Sequence, residues 1–396
     1  MKVYIVGTGM DGAQTLTREA ENAINEAELL VGAERILRPF SGLGKETHTA
    51  YISRDIADKL ASSDCGTAAV LMSGDCGFFS GARKLLPLLA GHDVRVIAGV
   101  SSVSYFCSKV GLSYEKMKLV TLHGRASNIA VNVKMNELCF FLLGGEMSAA
   151  DVCRRLCKYG LGDVTVHIGT DLGYENEQII AGRAGELTDC TADGLAVMIT
   201  ENRDALRYIP SAISDGSFRR ETVPMTKAEV RCAAVSRLNI CTDSVVWDIG
   251  CGTGSVSVEA AYRCPDGKVY AFDKKSAAAA LTAENARLFS CDNIEAVEGE
   301  CPEILADMPA PDKVFIGGSS GNMESIFEAV YSKNQRADIV VTAVSLETLQ
   351  DAVNSFEKYG VVPEVVQIAV TRTRKIGSHT MLDALNPVFI VSGRLI

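Results

Sequence analysis

One segment narrows the folds open to this chain more than any other: Val245-Val-Trp-Asp-Ile-Gly-Cys-Gly-Thr-Gly-Ser255. An apolar run that reads as a buried strand ends at Asp248, glycines at 250, 252 and 254 let the backbone turn tightly, and a helix opens near Ser255. Around it, strand-like runs at 244–248, 268–272, 294–297, 313–316, 339–344, 365–370 and 388–391 are separated by helical patterns. Seven strands with intervening helices predict a Rossmann-like, doubly wound α/β sheet.

The acidic residue ahead of the glycines separates this turn from the G-x-G-x-x-G of dinucleotide folds. A carboxylate at Asp248 repels a pyrophosphate and suits a cationic amino-acid moiety. Nineteen residues after Gly254 the strand 268–272 ends in Asp273, where a second carboxylate can accept hydrogen bonds from both hydroxyls of a ribose. The combination points to S-adenosylmethionine and away from a nicotinamide dehydrogenase. The alternative is a solvated strand-end aspartate beside a tight turn.

The first 200 residues alternate in the same way: a strand at 3–6, a helix at about 17–30, a strand at 68–72, a helix at about 79–89 and a strand at 94–97. A second lobe begins near Lys118, with strands at 119–122, 139–143, 164–168 and 195–199 and a helix at about 149–159, opened by a capping box at Ser148-x-x-Asp151. Periodicity lapses between Asn202 and Pro224, so 1–203 reads as one two-lobed domain (lobes about 1–117 and 118–203), 204–223 as a linker and 224–396 as a second domain. Thr226-x-x-Glu229 predicts another capping box. A further glycine-rich turn, Gly7-Thr-Gly-Met-Asp-Gly12, follows the first strand without a phosphate-loop lysine, so it is either a structural turn or part of a second site.

Composition bounds the rest. At 396 residues the prior is two or three domains, and 39 basic against 49 acidic residues give a net charge of −10, which argues against wrapping nucleic acid or coating an anionic membrane. Thirteen scattered cysteines without a C-x-x-C pair and five histidines without ligand spacing predict buried, reduced thiols and no metal site. No long apolar run or signal-peptide pattern is present in the sequence, and the cytoplasm is the expected compartment.

Further motifs carry a resemblance. Pro224-Met-Thr-Lys-Ala-Glu-Val-Arg231, the 248–255 turn, Phe315-Ile-Gly-Gly-Ser-Ser-Gly321, Ala343-Val-Ser-Leu-Glu-Thr-Leu349 and Asn386-Pro-Val-Phe-Ile390 resemble the CbiT-type precorrin methyltransferases over about residues 222–396. The resemblance implies a class I methyltransferase that methylates C15 of a corrin precursor and decarboxylates its C12 acetate. Thr226, Gly250, Cys251, Gly252, Thr253, Gly254, Asp273 and Cys301 would then line the cofactor site. Cys301 and Thr342 stand where that family usually has alanine and asparagine.

Val70-Leu-Met-Ser-Gly-Asp-Cys-Gly-Phe-Phe79, Val96-Ile-Ala-Gly-Val-Ser-Ser-Val103 and Leu122-His-Gly-Arg125 resemble the CbiE-type tetrapyrrole methylases over about residues 1–203. This second resemblance implies a class III methyltransferase fold, with S-adenosylmethionine between two α/β lobes and methylation at C5. Met10, Gly74, Asp75, Phe78, Ser101, Ser102 and Leu143 would approach the cofactor, although Ser101 and Ser102 also read as simple helix caps. Met10, Cys76 and Ala98 replace prolines of the family pattern, which loosens loops without removing a functional group. Together the two resemblances imply the fused CobL type of cobalamin biosynthesis, cytoplasmic and homo-oligomeric.

A corrin precursor carries many carboxylates, and Arg372, Arg374, Lys375 and His379, with His123 and Arg125, are the candidate groups to hold them. A solvated basic β-ribbon is the competing reading of the 372–379 cluster. No catalytic acid or base is assigned. An N-terminal domain that only binds or channels the tetrapyrrole remains the alternative.

Overall fold

The computed structural model describes residues 1–11, 14–123, 127–145, 147–192 and 194–396. The chain divides into two compact units, one of Met1–Arg125, Leu138–Val152 and Thr165–Glu201, the other of Ala126–Glu137, Cys153–Val164 and Asn202–Ile396.

Unit 1 contains two sheets. Strands β1 (Lys2–Gly7), β2 (Leu29–Gly32), β3 (Glu46–Thr49), β4 (Thr67–Met72) and β5 (Asp93–Ile97) form an all-parallel sheet in the order β3-β2-β4-β1-β5. Alternate residues of β1 and β4 enter different clusters: Val3, Ile5, Ala68 and Val70 on one face, Tyr4, Val6, Ala69 and Leu71 on the other. Both faces are thus apolar, as a parallel sheet covered by helices requires. Strands β6 (Lys118–Thr121), β7 (Leu138–Leu142), β8 (Thr165–Thr170), β9 (Gln178–Arg183) and β10 (Ala196–Glu201) form the second sheet, β6-β7-β10-β8-β9, parallel only between β6 and β7.

Unit 2 is built on a seven-stranded sheet of β11 (Val245–Ile249), β12 (Lys268–Asp273), β13 (Ile294–Glu298), β14 (Lys313–Ile316), β15 (Asp338–Ala343), β16 (Glu364–Ile368) and, beyond the ribbon strands β17 (Thr371–Ile376) and β18 (His379–Ala384), β19 (Val388–Arg394). Its order is β13-β12-β11-β14-β15-β19-β16, with β19 antiparallel to both neighbours. The strand order reverses between β11 and β14, and ligands of open α/β sheets bind at such a reversal.

Several sequence expectations change. The helix read over 17–30 spans Arg18–Glu26, capped by Thr17, and Leu29–Gly32 is β2. A four-residue apolar run is ambiguous between helix and strand, and here the Glu28 N–H bonds to the Thr67 carbonyl and starts a ladder. The helix read over 79–89 shrinks to Ala82–Leu85 and tightens into a 3-10 turn at Leu86–Leu89, where Pro87 lacks an N–H. The Ser148–Asp151 box forms in both directions, at 3.0 and 3.2 Å. The Thr226–Glu229 box does not: the helix is Ala228–Arg237, the Ala228 N–H donates to Asp215, and Glu229 pairs with Arg372.

The domain limits read from the sequence also differ from the compact units. Residues 126–137 and 153–164 belong to unit 2, where the buried Asp292 carboxylate accepts the Ile129 N–H at 2.8 Å and the Val131 N–H at 3.0 Å. Asn128 donates to the carbonyls of Pro265 and Gly267, and Val131 joins the core cluster of Val246, Val258 and Val269. The segment read as a linker has only one 3-10 turn, Asp215–Ser217, yet it is packed. Phe218 stacks on Phe289 with centroids 4.7 Å apart, and Asn285 bonds both the N–H and the carbonyl of Arg219.

Candidate active sites

In unit 2 the glycine turn is built by close approach. Gly250 has φ +75°, a left-handed value, and a Cβ there would lie 2.8 Å from the Gly318 backbone on the loop after β14. Gly254, at φ +72°, caps helix Ser255–Ala261, and a Cβ would strike Thr282 at 2.7 Å. The turn is locked to the neighbouring strand because the N–H groups of Gly250 and Cys251 share the Phe272 carbonyl, each at 2.9 Å. Asp273 ends β12, and its two oxygens accept the Gly252 N–H (3.1 Å) and the Lys275 N–H (3.0 Å). A carboxylate has about four acceptor positions, so it retains capacity for two hydroxyls.

These loops enclose a cavity of about 580 Å³ at the strand-order reversal, lined by Thr226, Gly250, Cys251, Gly252, Asp273 and Cys301 among the expected residues. Thr253 and Gly254 lie behind it: Thr253 is buried, and its carbonyl accepts from Asn285. The lining not anticipated as site residues includes Lys227, Lys275, Gly317, Gly318 and Asn386. Burial pushes the Cys301 thiol up to about 12 and raises Cys251 as well, so both are neutral.

Asp248 departs from its expected role. It is absent from the lining, buried beneath the turn, with one oxygen accepting the Ser257 hydroxyl and the other without a partner. Burial, with a smaller push from the charge of Asp273, raises its carboxyl to about 7 against the bonds from Ser257.

The basic cluster lies on the β17–β18 ribbon, outside the cavity lining, although Val370, Leu385 and Asn386 at the ribbon's base belong to that lining. Arg372 does not match the reading as a substrate ligand, because its guanidinium is held by Asp215 at 3.1 Å and by Glu229, whose carboxyl it lowers. Both acids share the packed segment around Arg231, which is fully buried between Glu259 and Asp215 and donates to the Thr226 carbonyl at 2.7 Å. Arg374, Lys375 and His379 are exposed, as the solvated-ribbon reading expects.

In unit 1 a cavity of about 250 Å³ opens between the two sheets. Met10, Gly74, Asp75, Phe78, Ser102, Leu143 and His123 line it. Ser101 caps helix Ser102–Val110 instead, accepting the Ser104 N–H at 3.2 Å. Arg125 lies outside the described residues. The floor is a contact of three loops: Gly9 and Gly74 exchange backbone bonds of 3.1 and 2.8 Å, and Asp75 accepts the Gly99 N–H at 3.0 Å. Where the family pattern has proline, the buried Cys76 thiol reaches the carbonyls of Ile5 and Ile97, and the Met10 N–H is held by the Thr15 hydroxyl at 2.8 Å. The sequence reading missed Arg35, Ser80, Leu172, Tyr174 and Ala196, which no local motif connects to this cleft.

Among the described residues no cluster of His, Cys, Asp or Glu could hold a metal ion, and no helix is long and apolar enough to cross a membrane.

Comparison with known proteins finds two families along the chain. Residues 217–393 match the family model described as the precorrin methyltransferase domain, and residues 2–188 that of the tetrapyrrole (corrin/porphyrin) methylases. A Pyrobaculum calidifontis protein named "probable cobalt-precorrin-6B C(15)-methyltransferase (decarboxylating)" is 43% identical over 188 residues, 47% of this chain and 96% of that one. A Sinorhizobium protein named precorrin-6Y C(5,15)-methyltransferase [decarboxylating] is 27% identical over 394 residues, 97% of this chain and 94% of that one. A solved structure of a precorrin-6Y C5,15-methyltransferase from Geobacter metallireducens is 38% identical, covers 47% of this chain and 98% of its own, and has a TM-score of 0.45. Two α/β units, each with a glycine-walled cleft at its strand ends, are the make-up of a two-domain methyltransferase. The chain belongs to the precorrin methyltransferase family and carries a tetrapyrrole methylase domain ahead of that domain.

Proposed function

We propose that this chain methylates a corrin precursor twice in cobalamin biosynthesis, at C5 through residues 1–203 and at C15 through residues 224–396, the second transfer accompanied by decarboxylation of the C12 acetate. The observation that carries the reading is the presence of two separate clefts in one chain, both walled by glycine turns at the ends of parallel strands.

The unit 2 cleft fits S-adenosylmethionine. Its volume lies in the range of small-ligand sites, the Gly250 backbone leaves no room for a side chain, and Asp273 keeps acceptor capacity at the ribose position. When bound, S-adenosylmethionine supplies an electrophilic methyl group on a sulfonium leaving group. The residues of the chain have to align the ring carbon behind that methyl group and exclude water, and alignment of this kind is worth roughly 7 to 11 kcal/mol in the best-oriented cases. Neutral Cys251 and Cys301 keep thiolates, which would compete for the methyl group, out of the cleft. Loss of carbon dioxide leaves charge that the conjugated macrocycle absorbs, so no acid–base pair is demanded.

The substrate is a polycarboxylate, and the acidic chain meets it through local cations, with Arg374, Lys375 and His379 on the ribbon whose base borders one cleft and His123 in the lining of the other. A cytoplasmic homo-oligomer is part of this reading. Mass spectrometry of a precorrin-6-type substrate after turnover should show two methyl gains and one carbon dioxide loss; a single methyl gain excludes the two-site assignment. The smaller volume of the unit 1 cleft favours one competing reading, an N-terminal domain that binds or channels the tetrapyrrole. Calorimetric titration with S-adenosylmethionine separates the two, with two sites per chain under the first and one under the second.

A further inference from the structure

The unit 1 cleft is closed at one side by two residues that come from different sheets. Arg35 follows β2, Tyr174 follows β8, both line the cavity, and the Arg35 guanidinium donates to the Tyr174 hydroxyl at 2.6 Å. The guanidinium carbon also lies 6.0 Å from the Tyr174 ring centroid. Tyr174 is firmly placed. Its loop is held by Glu177, which accepts the Gly173 N–H at 2.7 Å and the Tyr105 hydroxyl at 2.8 Å and pairs with Lys109 at 2.9 Å. Gly173, at φ +84°, presses so closely on Met10 that a Cβ would lie 2.6 Å from the methionine's own Cβ. Met10, Tyr174 and Arg35 therefore converge at the mouth.

Arg35 is exposed, and its one hydrogen bond among the described residues goes to a neutral phenol. Among the described residues the only acid in the lining is Asp75, whose two oxygens accept the N–H groups of Gly77 and Gly99. A guanidinium has five N–H donors in a planar fork, and a carboxylate fills that fork with two charge-assisted bonds that a phenol cannot match.

We propose that Arg35 is a substrate-anchoring residue of the unit 1 site: it exchanges its hydrogen bond to Tyr174 for a peripheral carboxylate of the tetrapyrrole, and Tyr174 holds the guanidinium in place until then. This rests on the assignment of C5 methylation to unit 1.

The test uses the full chain and three variants, Arg35→Met, Arg35→Lys and Tyr174→Phe. Arg35→Met should raise the KM of C5 methylation roughly ten- to hundredfold, the range of a lost charge-assisted bond, while C15 methylation on the same chain keeps its KM. Arg35→Lys should recover part of the loss, and Tyr174→Phe, which loosens the guanidinium but leaves its charge, should raise the KM of C5 methylation by much less than Arg35→Met. An unchanged C5 KM in Arg35→Met, an equal rise for C15, or a Tyr174→Phe defect as large as that of Arg35→Met overturns the anchor. If the parent chain makes no C5 product, the assignment of the reaction fails, and equilibrium binding of a precorrin-6-type tetrapyrrole decides the anchor separately. Loss of one class of sites in Arg35→Met sustains it; identical binding to parent and variant rejects it.

Discussion

The two clefts of this chain follow different plans. The lining of the unit 2 cleft draws on separated stretches of chain, but its cradle is one local motif: residues 249–252 of the glycine turn, with Asp273 from the end of the adjacent strand. The unit 1 cleft, less than half as large, is assembled from eight separated stretches of chain with no such motif at its centre, and its walls are mostly apolar side chains such as Phe78, Leu143 and Leu172. A cradle made by one turn is set by residues adjacent in sequence. A site made between two sheets depends on every loop that spaces them, and at Met10 and Cys76, which stand in place of prolines, the loops are tied by bonds to Thr15 and to the carbonyls of Ile5 and Ile97.

The largest expected effect falls on the first plan. Asp273→Ala removes the acceptor proposed for the ribose hydroxyls and the brace on Gly252, and should weaken S-adenosylmethionine at unit 2 by roughly a hundredfold or more while C5 turnover continues. Calorimetry should then count one tight site in place of two, and an unaltered isotherm would remove Asp273 from the site. Next comes Gly99→Ala, aimed at the second plan. A Cβ there would lie 2.2 Å from the Gly74 carbonyl oxygen, so the loops must separate, and C5 methylation should fall at least about tenfold with C15 methylation intact.

A pH experiment sharpens the comparison from below the unit 2 turn. Burial raises the Asp248 carboxyl to about 7, so the folded chain holds this proton more tightly than the unfolded chain. The stability this contributes is complete below the unfolded value near 3.8 and is lost as pH rises through about 7. Asp248→Asn, which cannot ionise, should therefore gain on the parent as pH rises across that window, by as much as about 4 kcal/mol, and stay level above it. Thermal unfolding of both proteins at pH 5, 7 and 8.5 reads the difference; parallel curves would place Asp248 in a more polar setting. The smallest effect is at Cys301→Ala, where a neutral buried thiol with no charge to lose is replaced, and S-adenosylmethionine binding at unit 2 should change by no more than about twofold.

The same contrast governs what was legible in advance. All seven strands of the unit 2 sheet were readable, and six of the eight residues expected at a cofactor site line its cleft, because strand, glycine and acid follow one another along the chain. In unit 1, β2 was hidden inside a helical pattern, the short edge strand β3 is polar enough to pass for a loop, and the edge strand β9 shows no alternation of apolar and polar residues. Arg35 and Tyr174 meet across 139 residues, a separation at which no spacing rule operates. Asp248 shows the reverse failure: its place in the motif was clear, but only burial revealed that it serves the turn from beneath.

The carboxylate of Asp292 has one more consequence. By accepting the N–H groups of Ile129 and Val131 it binds an early stretch of sequence into the later unit, and the chain passes between its units after residues 125, 137, 152, 164 and 201. A protease cut or a gene truncation near Ser214 therefore does not release two finished enzymes. It leaves the later fragment without two of its own helical segments, and leaves the 129–135 segment on the earlier fragment without the carboxylate that accepts its first N–H groups. The interleaving makes this fusion hard to reverse: once Asp292 holds a helix from earlier in the chain, the units can be parted only by rebuilding the surface left behind.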